Sequence, residues 1–188
     1  PLAALDAKLK ESLRDELAEL LRRLHITAIH VTHDQQEALA IADRLAVMRA
    51  GRIVQVGRGE DLYRSPSHPF VAEFLGRVNR LERGQDALAQ GVVRLGGTTM
   101  PCPGAWQGHA TLLVRPEDIE VGVPQLDWAA AVVERRTFLG DRVQLHLRAQ
   151  DQPMLVADVG RDNPFGPGDA VGLRIHPDRL MTSQETSA

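Results

Sequence analysis

Leucines recur at helical spacing along the first part of the chain, and charged residues separate them. They are Leu5, Leu9, Leu13, Leu17, Leu20, Leu21 and Leu24. This spacing places the leucines on one side of an α-helix. It predicts an amphipathic helix from near Asp6 to Leu24, with the Asp6 carboxylate as an N-cap that accepts hydrogen bonds from the first backbone N–H groups.

A short β-branched run, Thr27–Thr32, follows this helix and precedes a second one. Runs of this length between helices are typical of buried strands in α/β sheets, so we expect a buried strand here. Asp34 then begins the second helix, and Glu37 is placed to complete a capping box with it. Two further strands are predicted at Leu45–Met48 and Ile53–Gly57, around a turn that contains glycine.

Beyond these strands the pattern changes. Two short helices are predicted, at Gly59–Arg64 and from Phe70 to Gly76, and after Gly76 short alternating runs separated by Gly and Pro take over. Strands are predicted at Val92–Leu95, Thr111–Arg115, Ala129–Arg136, Arg142–Arg148, Met154–Val159 and Ala170–Ile175. The pattern therefore predicts an α/β segment over residues 1–76 and a small all-β domain, barrel-like, over residues 77–188.

Composition excludes some functions. A net charge of -3 and an aromatic content of 4% argue against a general nucleic-acid binder, which needs a basic surface and rings for base stacking. No run approaches the roughly 20 apolar residues of a membrane-spanning helix, so we expect any membrane role to depend on a partner. Cys102 is the only cysteine, which excludes an internal disulfide and fits a reducing compartment.

The candidate chemistry lies in Val31–Gln35, where the predicted strand meets the second helix. Ligands bind at the carboxyl ends of strands in open α/β sheets, and helix N-termini favour anions. His33 could therefore donate a hydrogen bond to a terminal phosphate oxygen, although on spacing alone a histidine satisfied locally in a loop is more common. The other histidines have no spacing typical of a metal cage, and we predict no metal site.

Several short motifs in this half resemble the C-terminal part of the ATP-binding domain of ABC importers, a P-loop ATPase family. They are Ala4–Ala7, Val31–Ala38, Ala42–Arg44 and Arg49–Ile53. Their order and spacing match that family. The resemblance implies that Asp6 belongs to the D-loop at the dimer interface, and that His33 is the switch histidine that contacts the γ-phosphate of ATP.

The second half resembles the TOBE regulatory domain that is appended to these subunits, a β-barrel of the oligonucleotide/oligosaccharide-binding (OB) type. Leu113–Ile119 contains an Arg-Pro-Glu-Asp hallmark, and Phe138–Val143 resembles a later Leu-Gly turn of that domain. We expect Arg115 and Glu117 to anchor a turn rather than to contact a ligand. The resemblance thus implies a truncated ATPase domain followed by an OB-like barrel.

Three catalytic motifs of the family do not occur in these 188 residues. The phosphate-binding loop needs a lysine after glycines, but the only lysines are Lys8 and Lys10, without preceding glycines. The only Gly-Gly pair, Gly96–Gly97, does not belong to a Leu-Ser-Gly-Gly-Gln signature, and the Walker B pair would come just before Pro1. We therefore expect a fragment that hydrolyses no ATP alone, whereas its parent uses ATP and Mg²⁺.

The resemblance also implies partners. The parent would dock on membrane permease subunits at the cytoplasmic face of the inner membrane. It would form a homodimer through the regulatory domain or through the uncovered faces of the first helix and strand. Phe70–Leu81 is similar to the domain junction of sulfate/thiosulfate importers, but polyamine, iron and sugar importers share the architecture. The alternative is a stand-alone regulatory or dimerisation module whose barrel senses oxyanions, as related barrels of molybdate-type importers do.

Overall fold

A computed structural model describes residues 7–102 and 110–182. The first half contains α1 (Ala7–Leu24), α2 (Gln35–Ile41), β1 (Leu45–Arg49), β2 (Arg52–Gly57), α3 (Gly59–Arg64) and α4 (Pro69–Phe74). The second half begins with β3 (Asn79–Glu82), α5 (Gln85–Ala89), β4 (Val92–Leu95), β5 (Thr98–Pro101), β6 (Thr111–Val114) and β7 (Ile119–Gly122). It continues with β8 (Ala129–Phe138), β9 (Arg142–Ala149), β10 (Leu155–Gly160), β11 (Ala170–Ile175) and β12 (Met181–Thr182).

Helix α1 confirms the leucine pattern, and its apolar face is largely uncovered, as we predicted. Ala18 is buried at 5% exposure, but Leu17, Leu20 and Leu24 are 40%, 41% and 53% exposed. Asp6, the predicted N-cap, lies outside the described residues. Within residues 7–102 and 110–182, no helix is long and apolar enough to cross a bilayer.

The predicted buried strand at Thr27–Thr32 is wrong. Residues 26–32 belong to no helix or strand, and Ile29 and Val31 are 94% and 89% exposed. A strand is stabilised by backbone hydrogen bonds to a neighbouring strand and by burial of at least one face. In the part of the chain that the structure describes, no segment pairs with 26–32, so its β-branched side chains remain in solvent.

The predicted hairpin is confirmed as β1 and β2, which pair antiparallel. Its connection is Ala50-Gly51, and both residues have positive φ, 49° and 77°. Two positive φ values are those of a type I′ turn, whose twist matches the twist of the flanking strands. The hairpin packs on α3 and α4 in a small apolar core formed by Leu45, Val47, Leu62, Val71 and Leu75.

The β domain is a nearly closed barrel. One sheet has the strand order β10-β9-β8-β11-β7, and β10 also lies against β7, so that the two edge strands meet. A second sheet has the order β12-β6-β3. Alternate residues of β9 point inward, where Val143, Leu145 and Leu147 are 0% exposed. The predicted class, α/β followed by an OB-like barrel, is confirmed.

The six strands predicted in this half form within one or two residues of the predicted bounds, whereas β3, β5, β7 and β12 were missed. These four are short, and polar residues interrupt three of them. β3 joins the barrel through the side chain of Asn79. Its Nδ2 donates to the carbonyl of Val156 at 2.8 Å, and its Oδ1 accepts from the N–H of Val156 at 2.7 Å. The amide therefore pairs with β10 as a backbone peptide would.

Candidate functional site

His33 occupies the bend between residues 26–32 and α2. Its imidazole is exposed, and among the described residues no hydrogen bond or ion pair engages it. The backbone on either side is held by a local network. Asp34 Oδ1 accepts from the N–H of Glu37 at 3.1 Å, and the N–H of Asp34 donates to Thr32 Oγ1 at 3.0 Å. The loop is thus fixed while the His33 imidazole is left accessible.

Glu37 completes this hydrogen-bond network. Only 8% of it is exposed, and its carboxylate accepts from the Thr32 hydroxyl and lies 3.4 Å from His30 Nε2. The predicted capping box is therefore confirmed in its N-cap half. The other half differs, because the Glu37 carboxylate bonds a side-chain hydroxyl and the Asp34 N–H bonds the same Thr32 side chain.

The contacts of Asp34 and Glu37 limit which ligands the His33 bend can bind. The Asp34 carboxylate accepts from the N–H of Glu37 and places a negative charge at the N-terminus of α2, which disfavours the expected anion contact there. What the bend offers a phosphate is the His33 imidazole as a single donor. Within the two described ranges, no group of three His, Cys, Asp or Glu side chains could hold a metal ion. These residues fit a contact to a phosphate and do not themselves form a Mg²⁺ site.

Asp6, the other predicted site residue, lies outside the described residues, so its D-loop role stays a prediction. A groove of about 520 Å³ lies beside the His33 bend. It runs between α1, residues 26–32 and α2, and Leu21, Ile26 and Ile41 contribute to its apolar lining. The exposed leucines Leu17, Leu20 and Leu24 of α1 do not line this groove.

Arg115 joins the two halves of the molecule. Only 2% of it is exposed, although it follows directly on the apolar strand β6. Its Nη1 donates to the carbonyls of Ala72 at 2.8 Å and Arg77 at 3.2 Å, and its Nη2 donates to the carbonyl of Tyr63 at 3.1 Å. These carbonyls lie at the ends of α3 and α4 and in the link to β3. One guanidinium thus satisfies backbone acceptors that the helices leave unpaired.

Tyr63 completes this arrangement, and we call Arg115, Tyr63 and Glu117 the junction clasp. The Arg115 guanidinium lies over the Tyr63 ring, 3.9 Å from its centroid, and the Tyr63 hydroxyl donates to Glu117 Oε1. Burial, and then the hydrogen bond and negative charge of Glu117, raise the pKa of Tyr63 to about 12. Burial likewise lowers the pKa of Arg115. The clasp is a polar contact between α3 and the β domain in which Arg115 is buried and Glu117 is exposed.

Gly76 makes the clasp possible. A Cβ at this position would lie 3.2 Å from Arg115 Nη1 and 3.2 Å from the Tyr63 ring, tighter than ordinary contact. The expectation that Arg115 and Glu117 anchor structure agrees with this geometry. Tyr63 was missed, and so was Asn79, because both act through partners that are distant in sequence. The available signal was an arginine placed immediately after the buried residues Leu112–Val114.

Comparison with known proteins decides what the second half is. Residues 112–182, from β6 to β12, match the family described as TOBE domain. These residues are a TOBE domain. The match contains the Arg115 and Glu117 members of the clasp, whereas Tyr63 comes from the preceding half. The TOBE domain is therefore fastened to α3 through its own Arg-Pro-Glu-Asp turn.

Similarity extends beyond the TOBE domain over most of the chain. The chain is 45% identical to the sulfate/thiosulfate import ATP-binding protein CysA 2 of Chromobacterium violaceum, over 93% of this chain and 50% of that protein. It is 36% identical to the sulfate/thiosulfate import ATP-binding protein CysA of Synechococcus elongatus, over 86% and 44%. It is 35% identical to the Fe(3+) ions import ATP-binding protein FbpC of Brucella abortus, over 84% and 46%.

These relatives confirm the predicted resemblance to importer ATP-binding proteins that carry a TOBE domain. The chain spans about half the length of the curated relatives that it matches.

Proposed function

We propose that this chain belongs to the ATP-binding, energy-coupling subunit of an ABC importer, with the TOBE domain as its regulatory part. The observation that carries the proposal is the similarity to import ATP-binding proteins over 93% of the chain, which includes the His33 bend as well as the TOBE domain. The exposed imidazole of His33 on a fixed loop supports the same function, because a phosphate sensor must be both accessible and held in place.

In this proposal His33 donates a hydrogen bond to the γ-phosphate of ATP, and Asp6 lies at the interface of a homodimer. The complete subunit binds ATP and Mg²⁺. It does so with a phosphate-binding loop that these 188 residues do not contain. The subunit docks on membrane permease subunits at the cytoplasmic face of the inner membrane. ATP supplies the free energy for transport, while His33 reports whether the terminal phosphate is present.

The test is His33→Ala in the complete subunit, assembled with its permease. We expect ATP hydrolysis and transport to fall by about 10²-fold, the cost of removing one donor to charge that develops in the transition state. His176→Ala is the matched control, because His176 is an exposed histidine of the TOBE domain and should leave turnover unchanged. Undiminished hydrolysis in the His33 variant would rule out the γ-phosphate role.

A second test concerns the 188 residues alone. We propose that they hydrolyse no ATP, because no glycine-rich loop holds the phosphates. Purified chain should release no phosphate from ATP above the level of a His33→Ala preparation. Turnover that the His33→Ala preparation does not share would contradict this proposal.

For the solute we propose sulfate or thiosulfate. The support is that two of the similar proteins are sulfate/thiosulfate import proteins, one of them at 45% identity. The rival is iron, since similarity to an Fe(3+) import protein is also substantial. Uptake of labelled sulfate by vesicles that contain the complete transporter would support the proposal, and uptake of iron without sulfate would replace it.

For assembly we propose a homodimer, formed through the TOBE domain or through the uncovered apolar face of α1. The exposed leucines Leu17, Leu20 and Leu24 support the second route, because contiguous apolar surface favours association. Light scattering on the purified chain should give a mass that rises towards that of a dimer with concentration. A monomer mass at all concentrations would exclude both routes.

A further inference from the structure

The outward face of β8, β9 and β10 carries a row of side chains that the proposed function does not use. Arg135 lies opposite His146, and His146 lies opposite Val156, in the registers of neighbouring strands. Residues directly opposite each other in a sheet share a face. The His146 side chain is half-buried on this outer face, whereas Leu145 and Leu147 on either side point into the barrel core.

A β-bulge brings Arg135 to this row. The register of β8 against β9 shifts between Val133 and Arg135, so that Glu134 is the extra residue and both Glu134 and Arg135 are exposed. Arg135 Nη2 lies 2.6 Å from His146 Nε2. A guanidinium can only donate, so this nitrogen of the imidazole accepts. The pair forms with neutral His146 and leaves the charge of Arg135 uncompensated.

The carboxylates on the same face are committed elsewhere. Glu134 pairs with Arg148. Asp158 accepts from Arg142 Nε at 3.0 Å and from Gln144 Nε2 at 2.9 Å. Within the described ranges, Arg135 has no carboxylate partner, and its side chain is exposed. A positive charge is therefore available on this face without an acidic side chain to neutralise it.

Arg77, in the link between α4 and β3, adds a second positive charge. Its backbone is held because its carbonyl accepts from Arg115 Nη1 at 3.2 Å, and Asn79, two residues on, is bonded to Val156, the cross-strand neighbour of His146. Its guanidinium is exposed and makes no ion pair to any described residue. These contacts place the backbone of residues 77–79 beside Val156, next to the row that contains Arg135 and His146.

The electrostatics of His146 agree with this arrangement. Partial burial, then the positive charge of Arg135 and that of Arg77, lower the pKa of the imidazole. No carboxylate contributes in the opposite direction. The imidazole thus contacts one guanidinium, feels the positive charge of a second, and is near no acid that lowers this charge. A bound anion would favour its protonated form.

We propose that Arg77, Arg135 and His146 form a binding site for a phosphate group, on the outer face of the barrel beside the junction. Guanidinium groups suit this ligand because their planar donors match phosphate oxygens two at a time. A bound dianion would take hydrogen bonds from both arginines and from His146 once it is protonated. The site includes no part of the His33 bend, so its test is independent of the function proposed above.

The experiment is a titration of the whole 188-residue chain with inorganic phosphate, followed by NMR of the His146 ring protons. His146 signals are assigned with a His146→Gln sample, and sodium chloride at equal ionic strength serves as the reference. We expect saturable shifts at millimolar phosphate and a rise of the His146 pKa on saturation. A parallel titration with ATP identifies the source of the phosphate group, since a nucleotide ligand should saturate at lower concentration than free phosphate.

Two variants and a control sharpen the test. Arg135→Gln and Arg77→Gln should each weaken phosphate binding by about tenfold, the cost of one charge-assisted hydrogen bond. Arg52→Gln removes the same charge from the exposed β1–β2 hairpin and should leave binding unchanged. Both test residues are exposed, so the variants should keep the circular dichroism of the parent. Shifts that sodium chloride reproduces, or equal weakening by Arg52→Gln, would overturn the proposal.

Discussion

Strand β9 of the TOBE domain and residues 26–32 of the segment before it are both short runs that contain apolar residues, but only β9 forms a buried strand. In β9, Val143 and Leu145 are completely buried between the neighbouring strands β8 and β10. In residues 26–32, Ile29 and Val31 are almost completely exposed, and no described segment pairs with them. Residues 26–32 are the richer of the two in β-branched residues, so β propensity does not explain the difference.

The difference shows that a strand is a property of a pair of segments. Backbone hydrogen bonds and side-chain packing both come from the neighbour, and they stabilise the run only where a neighbour exists. Every strand of the barrel finds its partner within the TOBE domain or in β3 just before it. Stability should therefore be concentrated in the barrel and be low in residues 26–32.

The largest expected effect comes from the barrel core. Leu145→Ala should lower the free energy of unfolding by about 3–4 kcal/mol, because it removes a fully buried side chain and leaves a cavity between two sheets. Urea denaturation followed by tryptophan fluorescence measures this change. A loss below about 1 kcal/mol would mean that the core collapses around the gap, and that the barrel is less rigidly packed than its burial indicates.

The junction clasp is next in size. Arg115→Met should lower the free energy of unfolding by about 2–3 kcal/mol, since it leaves the carbonyls of Ala72, Arg77 and Tyr63 without their donor. Arg80→Met is the matched control, because Arg80 forms an exposed ion pair with Glu73 and should cost under about 1 kcal/mol. Equal losses in the two variants would show that the clasp contributes only as a surface contact does.

The clasp contains one residue whose role the sequence predicted and one whose role it did not. In the barrel sheet, β8 to β11 were predictable because alternation reports a strand that is buried on one face, as in Val143, Leu145 and Leu147, whereas the short β7 was not. The role of Arg115 as an anchor was expected from its motif. The contribution of Tyr63 was not predictable, since it depends on the packing of α3 against a turn that lies 54 residues away. The domain division at residue 76 stays a prediction.

Residues 26–32 show the opposite case, in which the sequence predicts an element that the structure does not contain. Their pattern predicts a buried strand, but pattern alone cannot supply the neighbouring strand on which burial depends. The same reasoning applies to His33. Its place after the run was evident from the sequence, but the Asp34 carboxylate at the start of α2, which limits the site to one imidazole donor, required the structure.

A spectroscopic prediction isolates the clasp without unfolding the protein. The chain has a single tyrosine, so the absorbance of tyrosinate reports Tyr63 alone. Its pKa is raised to about 12 from the ordinary value of 10.0, first by burial and then by Glu117, so ionisation should occur with a midpoint near 12. Glu117→Gln should move the midpoint towards 10.0. An unchanged midpoint in that variant would assign the whole shift to burial.

The same shift has a consequence for stability. Because the folded state holds the Tyr63 proton more tightly than the unfolded state, its contribution is complete below pH 10 and is lost as pH rises towards 12. The unfolding midpoint in urea should therefore fall with pH across this window, and Tyr63→Phe should reduce that fall. Equal pH dependence in the two proteins would show that other groups account for the loss.

The smallest effect on stability is expected for a substitution in residues 26–32. Ile29→Ser should change the free energy of unfolding by less than about 0.5 kcal/mol, because a side chain that is 94% exposed loses almost no burial when it is shortened. The measurement is the same urea titration used for Leu145→Ala, carried out first at low and then at high protein concentration. A loss above about 1 kcal/mol that grows with protein concentration would mean that Ile29 is covered in solution by a second copy. The exposed run would then be a strand or interface that is completed only by association.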